Sequence, residues 1–482
     1  MTLSILLILP LLWLALFKGT TWRLAALGLA ASLSDAAAVN IGFSINVNWA
    51  MALVIIGWFA IQIHTSPPPT YLAARAVNRV LPVIIFWFWN AALIMFAPYV
   101  FSYIGETMPG SSNFDPRLSV PLASQGESFN QQVYLLVCIV LTCVIAVTLA
   151  REPQHMMRRI NYLITGLFVG AAFWVYWHIA SIRLGVPFPG ALLHNDPHSF
   201  AWNQYLGGIQ RPSGSMPEPS SVAGFFLPFP FYYFEYYLAT KRRAWLLAIF
   251  VALGALFFST SSTAFAGIAM FVTWVAVRGL GGVAAFATGG RILVRDLKAF
   301  AAFCALTVVG AVAVWVFLID PDVAQTIIRE QILEKSTSIS GRQRGYANDL
   351  AFDIFLQTYG VGVGMGNHRA SSIVLALLSG TGVIGFALMA YFFFEIAWRA
   401  MLRGRLVNRI YARKSFALVT GFGGIIAGSI LVGGELQSVI MWAWVGCLIA
   451  LNIAPLPAAR PARAPVREAP QAPLAQLPQA GE

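Results

Sequence analysis

Apolar stretches of about 15 to 25 residues alternate along this chain with short polar junctions, and basic residues gather at every second junction. One helix needs ~20 apolar residues to cross a hydrocarbon core ~30 Å thick. The pattern therefore predicts an all-α fold, a polytopic transmembrane helical bundle of about 12 to 14 spans. The runs lie at roughly 3–17, 24–44, 47–64, 80–104, 131–150, 161–182, 220–239, 245–259, 263–277, 299–319, 371–397, 416–433 and 437–455. Threading them through a bilayer places Lys18 and Arg23, Arg75 and Arg79, Arg151 to Arg159, Lys241 to Arg243, Arg278 to Lys298, Arg399 to Lys414 and Arg460 to Arg467 on one side. An excess of Lys and Arg marks the cytoplasmic side. The N-terminus is thus expected to be periplasmic and the C-terminus cytoplasmic.

Composition agrees with that reading: hydrophobic residues make up 58% of the chain and charged residues 10%, which excludes an ordinary water-soluble fold. The net charge of +12 is mostly the basic fringe that sets topology and meets anionic headgroups, so nucleic acid is not an expected partner. Cys138, Cys143, Cys304 and Cys447 all lie within apolar runs and have no metal-ligand spacing. They read as small core residues. The chain divides into a membrane domain, 1–455, and a Pro- and Ala-rich tail, 456–482, expected to be disordered and cytoplasmic.

Only Arg117, Arg183, Arg211, Arg329, Lys335, Arg342, Arg344 and Arg369 stay on the external side, where acidic residues outnumber them. These eight are not a topology signal and need local reasons. Most of them fall in two long external segments, near 183–219 and 320–370. Long connections inside a compact protein are more often functional than decorative.

In the first segment, Arg211-Pro-Ser-Gly-Ser-Met-Pro-Glu-Pro-Ser220 runs into the span that follows. Three prolines fix its backbone, Gly214 permits a tight turn, and Ser220 or Ser221 can cap the next helix. Arg211 and Glu218 would then sit at a defined depth, either as part of a site or simply paired with each other. In the second segment, Ser340 is the expected cap of a short helix that carries Arg342 and Arg344 in its first turn. Cations are disfavoured there unless an anion arrives. Guanidinium forks match phosphate oxygens, which makes a diphosphate the natural ligand. The plainer alternative pairs Arg342 and Arg344 with Asp349 and Asp353.

The glycines of Gly360 to Gly366 lack the Lys-Ser/Thr of a nucleotide loop. They read as a close backbone approach to a ligand or as a re-entrant turn. His368 and Arg369 follow at once. A lone histidine at a helix start is more often structural than catalytic.

Together these motifs carry a resemblance. In order they are R-x-S-G and E-P-S at the foot of a helix, S-T-S-S at Ser259 to Ser262, S-G-R-x-R, G-V-G-x-G and G-x-G-V-I-G at Gly380 to Gly385. Over roughly 160–450 the chain resembles the O-antigen polymerase and ligase superfamily. The resemblance implies a GT-C-like membrane glycosyltransferase of the bacterial inner membrane. Its donor would be a glycan on undecaprenyl diphosphate, and its acceptor another glycan. No cofactor and no metal would be needed. Arg211, Arg342 and Arg344 would neutralise the leaving diphosphate, and Glu218 would act on the acceptor hydroxyl, with Glu435 as second choice. His368, Arg369, Tyr346 and Glu435 are the substrate-binding candidates. The only external Asp-x-Asp pair, Asp320 and Asp322, encloses a proline and reads as a helix end.

Ligases of this superfamily show a His-Asn order where this chain has Asn367-His368-Arg369, which favours polymerisation of repeat units over transfer to lipid A core. A polymerase of this kind implies a chain-length regulator and a flippase as partners. A transporter or lipid-linked glycan flippase is the alternative from another class. Transporters tend to carry midplane charges and repeated halves. Here the mid-span charges reduce to Asp35, with Glu235 and Glu395 near the basic ends, and no repeat is evident.

Overall fold

The computed structural model describes residues 4–40, 44–109, 115–123, 126–196, 203–206, 209–287, 329–433 and 436–455. The expected span 299–319 and the tail 456–482 lie outside them. Helix dominates, as the apolar pattern requires, but the first two runs behave differently from the rest. α1 (Ile5–Phe17) and α2 (Thr20–Ala31) have 13 and 12 residues. At 1.5 Å per residue each covers about 20 Å, short of a hydrocarbon core.

The run 24–44, expected as one helix, is a correction. Its helix stops at Ala31, and the chain turns into an antiparallel hairpin of β1 (Ala37–Asn40) and β2 (Ser44–Asn46). Polar Ser32, Ser34 and Asp35 interrupt the helix, and the alternation through Val39, Asn40, Ser44 and Ile45 suits a strand. Asp35 is buried, and its carboxylate meets His194 Nδ1 at 2.6 Å.

Long helices follow: α3 (Val47–Thr65), α4 (Thr70–Val100), α5 (Gly126–Ala150) and α6 (Pro153–Leu184). α2 lies close along α6. A Cβ on Gly28 would come within 2.4 Å of the Leu163 carbonyl, and one on Gly166 within 2.7 Å of that of Ala25. Small residues that let backbones touch are what hold helices together where lipid removes the hydrophobic drive. After the short α7 (Gly190–Leu193) and a two-residue hairpin, β3 (Tyr205–Leu206) with β4 (Ile209–Gln210), the expected span 220–239 forms as two helices. They are α8 (Pro219–Phe226) and α9 (Pro228–Thr240). Pro228 and Pro230 have no N–H to continue the ladder, and the helix breaks there.

α10 (Ala244–Phe258) and α11 (Ser262–Ala287) follow, and beyond the undescribed stretch come α12 (Ile339–Gln357), α13 (Ile373–Val407), α14 (Arg409–Val432) and α15 (Val439–Ile453). Among the described residues seven helices are long and apolar enough to cross a membrane, and three more are shorter apolar helices. The chain is a multi-pass helical membrane protein. Its core is aromatic where Phe229 and Tyr232 of α9 meet Trp444 of α15 and where Trp442 stacks on Phe392 of α13, all of them fully buried.

The helix ends sort into two faces. At one, the basic junctions touch: Arg151 donates to Ser66 O (2.8 Å), Arg79 pairs with Glu395 (3.0 Å), Arg278 with Glu235 (2.8 Å), and Arg413 donates to Leu238 O (3.2 Å). At the other, the long loops meet α12. A small separate core of Ala97, Phe101, Ile104, Leu122, Ile354 and Val363 seats α12 on the end of α4.

Candidate functional site

The loop face gathers the motifs that the sequence spreads over 180 residues or so. Glu218 is the N-cap residue of α8, with Pro219 in the first helical position, so a carboxylate stands at the positive end of a helix. Ser220 and Ser221, the expected caps, lie inside the helix instead. The Ser220 hydroxyl donates to the Glu218 carboxylate. Arg344, from the second turn of α12, approaches the same carboxylate at 3.5 Å and donates to Ser220 Oγ at 3.3 Å. Asp349 and Asp353, offered as its partners by the plainer reading, are not.

Arg211 is anchored from behind. Its Nε donates to Ser259 O (3.2 Å) and Thr260 Oγ1 (3.1 Å), Nη2 to Ser259 O (3.1 Å), and Nη1 to Gln204 Oε1 (3.0 Å). The Ser259 to Ser262 turn thus has a purpose: it fixes a guanidinium. A guanidinium has five N–H groups. Among the described residues these contacts leave one on each Nη. Burial brings the Arg211 pKa down to about 10, while Glu218 opposes that fall and Arg344 adds to it. Arg211 still carries its charge at neutral pH.

Lys335 completes the cluster and was not among the sequence candidates. Burial lowers its pKa, the Arg344 and Arg211 charges lower it further, and Glu218 counteracts them. Its presence among the eight basic residues left on the acidic side was the signal that could have found it. Arg344 thus approaches a carboxylate whose side chain is 30% exposed, Arg211 and Lys335 are near enough to feel its charge, and a further anion has access.

Arg342 does not join them. The cap of α12 is Ser338, whose hydroxyl accepts from Gly341 N at 3.1 Å, not Ser340. Arg342 and Arg344 are two positions apart, which turns them to opposite sides of the helix. Arg342 is exposed, and no described residue pairs with it. On the next turn, the Tyr346 hydroxyl donates to the Glu106 carboxylate, and that bond pushes the Tyr346 pKa up to about 12.

His368 is buried, and both ring nitrogens are engaged. Nδ1 accepts from Met108 N (3.1 Å), so Nε2 carries the proton and faces Ala347 O at 3.3 Å. Burial lowers its pKa to about 4. Arg369 donates its backbone N–H to Met108 O (2.7 Å). It lines a cavity of about 60 Å³ with Gln131, His368, Gly433 and Gln437. Glu435, the second carboxylate candidate, lies outside the described residues, as do Asp320 and Asp322. Among the described residues no three of His, Cys, Asp and Glu are grouped to hold a metal ion.

The glycine run packs against protein, not ligand. Gly360, Gly362, Gly364 and Gly366 all have φ between 77° and 93°. Added Cβ atoms would lie 2.7 Å from the Gly380 carbonyl at Gly362 and 2.9 Å from the Ile94 backbone at Gly364. α13 is itself broken at Gly382 (φ 67°). The exposed backbone is paired across the break: Val363 N donates to Ser379 O (2.9 Å), Gly364 N to Gly380 O (2.6 Å), and Val383 N to Gly360 O (2.9 Å). The two glycine motifs are one structural unit, an interrupted helix sealed by a glycine strand.

No family model and no curated protein matches this chain.

Proposed function

We propose that the protein is a metal-independent glycosyltransferase. It polymerises oligosaccharide repeat units carried on a polyprenyl diphosphate, at the periplasmic face of a bacterial inner membrane. The observation that carries this reading is the approach of Arg344 to Glu218 at the head of α8, with Arg211 anchored nearby on Ser259, Thr260 and Gln204 and the charges of Arg211 and Lys335 felt at the same carboxylate. In the reaction, the acceptor hydroxyl oxygen bonds to the anomeric carbon of the donor while the bond from that carbon to the diphosphate breaks. The electron pair leaves with the lipid diphosphate, and the hydroxyl proton passes to Glu218. The N–H groups left on Arg211 and the charges of Arg344 and Lys335 receive the leaving group. Fixed charge aimed at developing charge is often the largest catalytic contribution.

Transfer to lipid A core would use the same donor, but His368, the residue such a ligase would employ, has both nitrogens tied to backbone. A transport role draws on one observation, the break in α13 at Gly382. That break is filled by backbone, with no described charged side chain bonded to it.

The deciding experiment supplies purified protein with a lipid diphosphate-linked repeat unit and sizes the products. A ladder of polymer that survives EDTA is expected. Loss of the ladder on chelation, restored by magnesium, would turn attention to Asp320 and Asp322. Movement of the donor across a vesicle membrane without chain growth would replace polymerisation by transport.

A further inference from the structure

The opposite, basic face holds a second cavity, of about 260 Å³, between α9, α11, α13 and α14. Four arginines line it, Arg278, Arg405, Arg409 and Arg413, against a single carboxylate, Glu235. Glu235 is already neutralised. Its two oxygens accept from Arg278 at 2.8 and 3.2 Å, and Trp274 Nε1 adds a third bond at 3.2 Å. Neighbouring arginines of this face have protein partners, as Arg399 has Glu395 (2.7 Å) and Arg403 has the Ala454 carbonyl (2.8 Å). Arg405 and Arg409 have no ion pair or hydrogen bond among the described residues.

Positive-inside bias explains basic residues at this end of the bundle, but not their convergence on one cavity. Arg409 and Arg413, four apart on α14, repel each other along the helix, and Arg409 stands at the helix's positive end. Both penalties vanish when an anion occupies the space between them. The walls also include Leu238, Met401 and Phe416, so the cavity is charged at its mouth and apolar beside it. That is the shape of an amphiphile's headgroup site, and basic pockets between helices on this side are suited to lipid phosphates.

We propose that this cavity binds a phosphate group through Arg405, Arg409 and Arg413, and that the group is the headgroup phosphate of an anionic phospholipid. The site is independent of the cluster around Glu218. It lies at the far ends of α13 and α14 from Ile373 and Gly433, which border the cavity beside His368.

The test uses full-length protein in an uncharged detergent and follows binding by native mass spectrometry and by thermal melting. Phosphatidylglycerol should bind at least tenfold more tightly than phosphatidylcholine of the same chain length. The double substitution Arg405→Gln with Arg409→Gln should remove that preference. Both residues are exposed at the rim, so the melting curve without lipid should stay cooperative and near wild type. Lys at both positions should restore part of the preference, because the charge returns without the fork. Arg399→Gln, outside the cavity, should leave it unchanged. If inorganic phosphate at matched ionic strength binds at this site as well as phosphatidylglycerol does, the anion site stands and its lipid assignment falls. If the double Gln variant discriminates the two lipids as wild type does, the proposal is wrong.

Discussion

Arg211 shows at the scale of one residue how a charge can be placed for a ligand. Its anchoring to Ser259, Thr260 and Gln204 fixes the guanidinium and leaves one N–H on each terminal nitrogen for the diphosphate proposed above. Removing a fixed donor of that kind costs on the order of 3 kcal/mol, or ~100-fold in rate. Arg211→Ala and Arg344→Ala should each do so at unchanged membrane expression. Glu218→Gln should be as severe if the carboxylate takes the proton, whereas loss of a mere partly exposed ion pair would cost under about 1 kcal/mol. Lys335→Gln should cost less, about tenfold, as expected for one charged hydrogen bond of ~1.5 kcal/mol. Near wild-type polymer yield from both arginine variants would remove the site. His368 carries a prediction of its own. Its folded pKa of about 4 lies below the ordinary ~6.5, so between those values the unfolded chain binds a proton that the folded chain excludes. Stability should therefore fall as pH drops from ~6.5 to ~4, by on the order of 3 kcal/mol in full. Melting of wild type against His368→Gln across that window should show a steeper decline for wild type. Equal slopes would mean that the imidazole is not held neutral.

At the scale of elements, the interlocked glycine strand and broken α13 make sharper demands than any apolar face. An alanine at Gly364 would have to adopt φ near 90° and place its Cβ 2.9 Å from the α4 backbone. Strain of ~1–2 kcal/mol for the left-handed backbone and ~1–3 kcal/mol for overpacking should combine to a severe loss of folded protein. Gly345, in the middle of α12, has nothing within 4 Å of an added Cβ and an ordinary φ. Gly345→Ala should be neutral or should stabilise by about 0.5–1 kcal/mol. A fluorescence-detected melt of the two variants separates these cases, and a stable Gly364→Ala protein would contradict the described fit. Much of this element structure was legible in advance. Apolar runs locate α3 to α6 and α13 to α15 because burial against lipid or core leaves a long, simple signature. Three features were not legible: the stop at Ala31, the cap at Ser338 instead of Ser340, and the seat of the glycine run. The first and last depend on a partner distant in sequence, and the cap on a tight local fit. Asp35 waits for His194, Gly341 is crowded by Lys335, and Gly362 fits only against Gly380. The site was half legible. Arg211 and Arg344 stood out against the charge trend and Glu218 through its proline-rich turn, but helical phase separates Arg342 from Arg344, and only the folded chain brings Lys335 in.

For the whole molecule, the separation of the two faces decides which chemistry is available. The basic junctions meet one another at one end of the helices, and Glu218 and Glu106 meet α12 at the other. A lipid diphosphate donor with its tail in the bilayer can reach Arg211 and Glu218 only from the side on which the loop face opens. The positive-inside rule predicts a cytoplasmic basic face, and reporter fusions test this directly. Fusions after Arg243 and after Lys414 should report a cytoplasmic reporter, and fusions within 183–196 and within 339–357 a periplasmic one. The two loop segments are independent probes of the same face, because Arg344 on α12 and Glu218 at the end of the first loop are in contact. They must therefore agree with each other whatever the orientation. Agreement on the periplasmic side places the cation cluster where a flipped, lipid-linked glycan arrives and no nucleotide sugar is available. Agreement on the cytoplasmic side would leave the fold intact and end the polymerase reading, since the same residues would then face the compartment of nucleotide-linked donors.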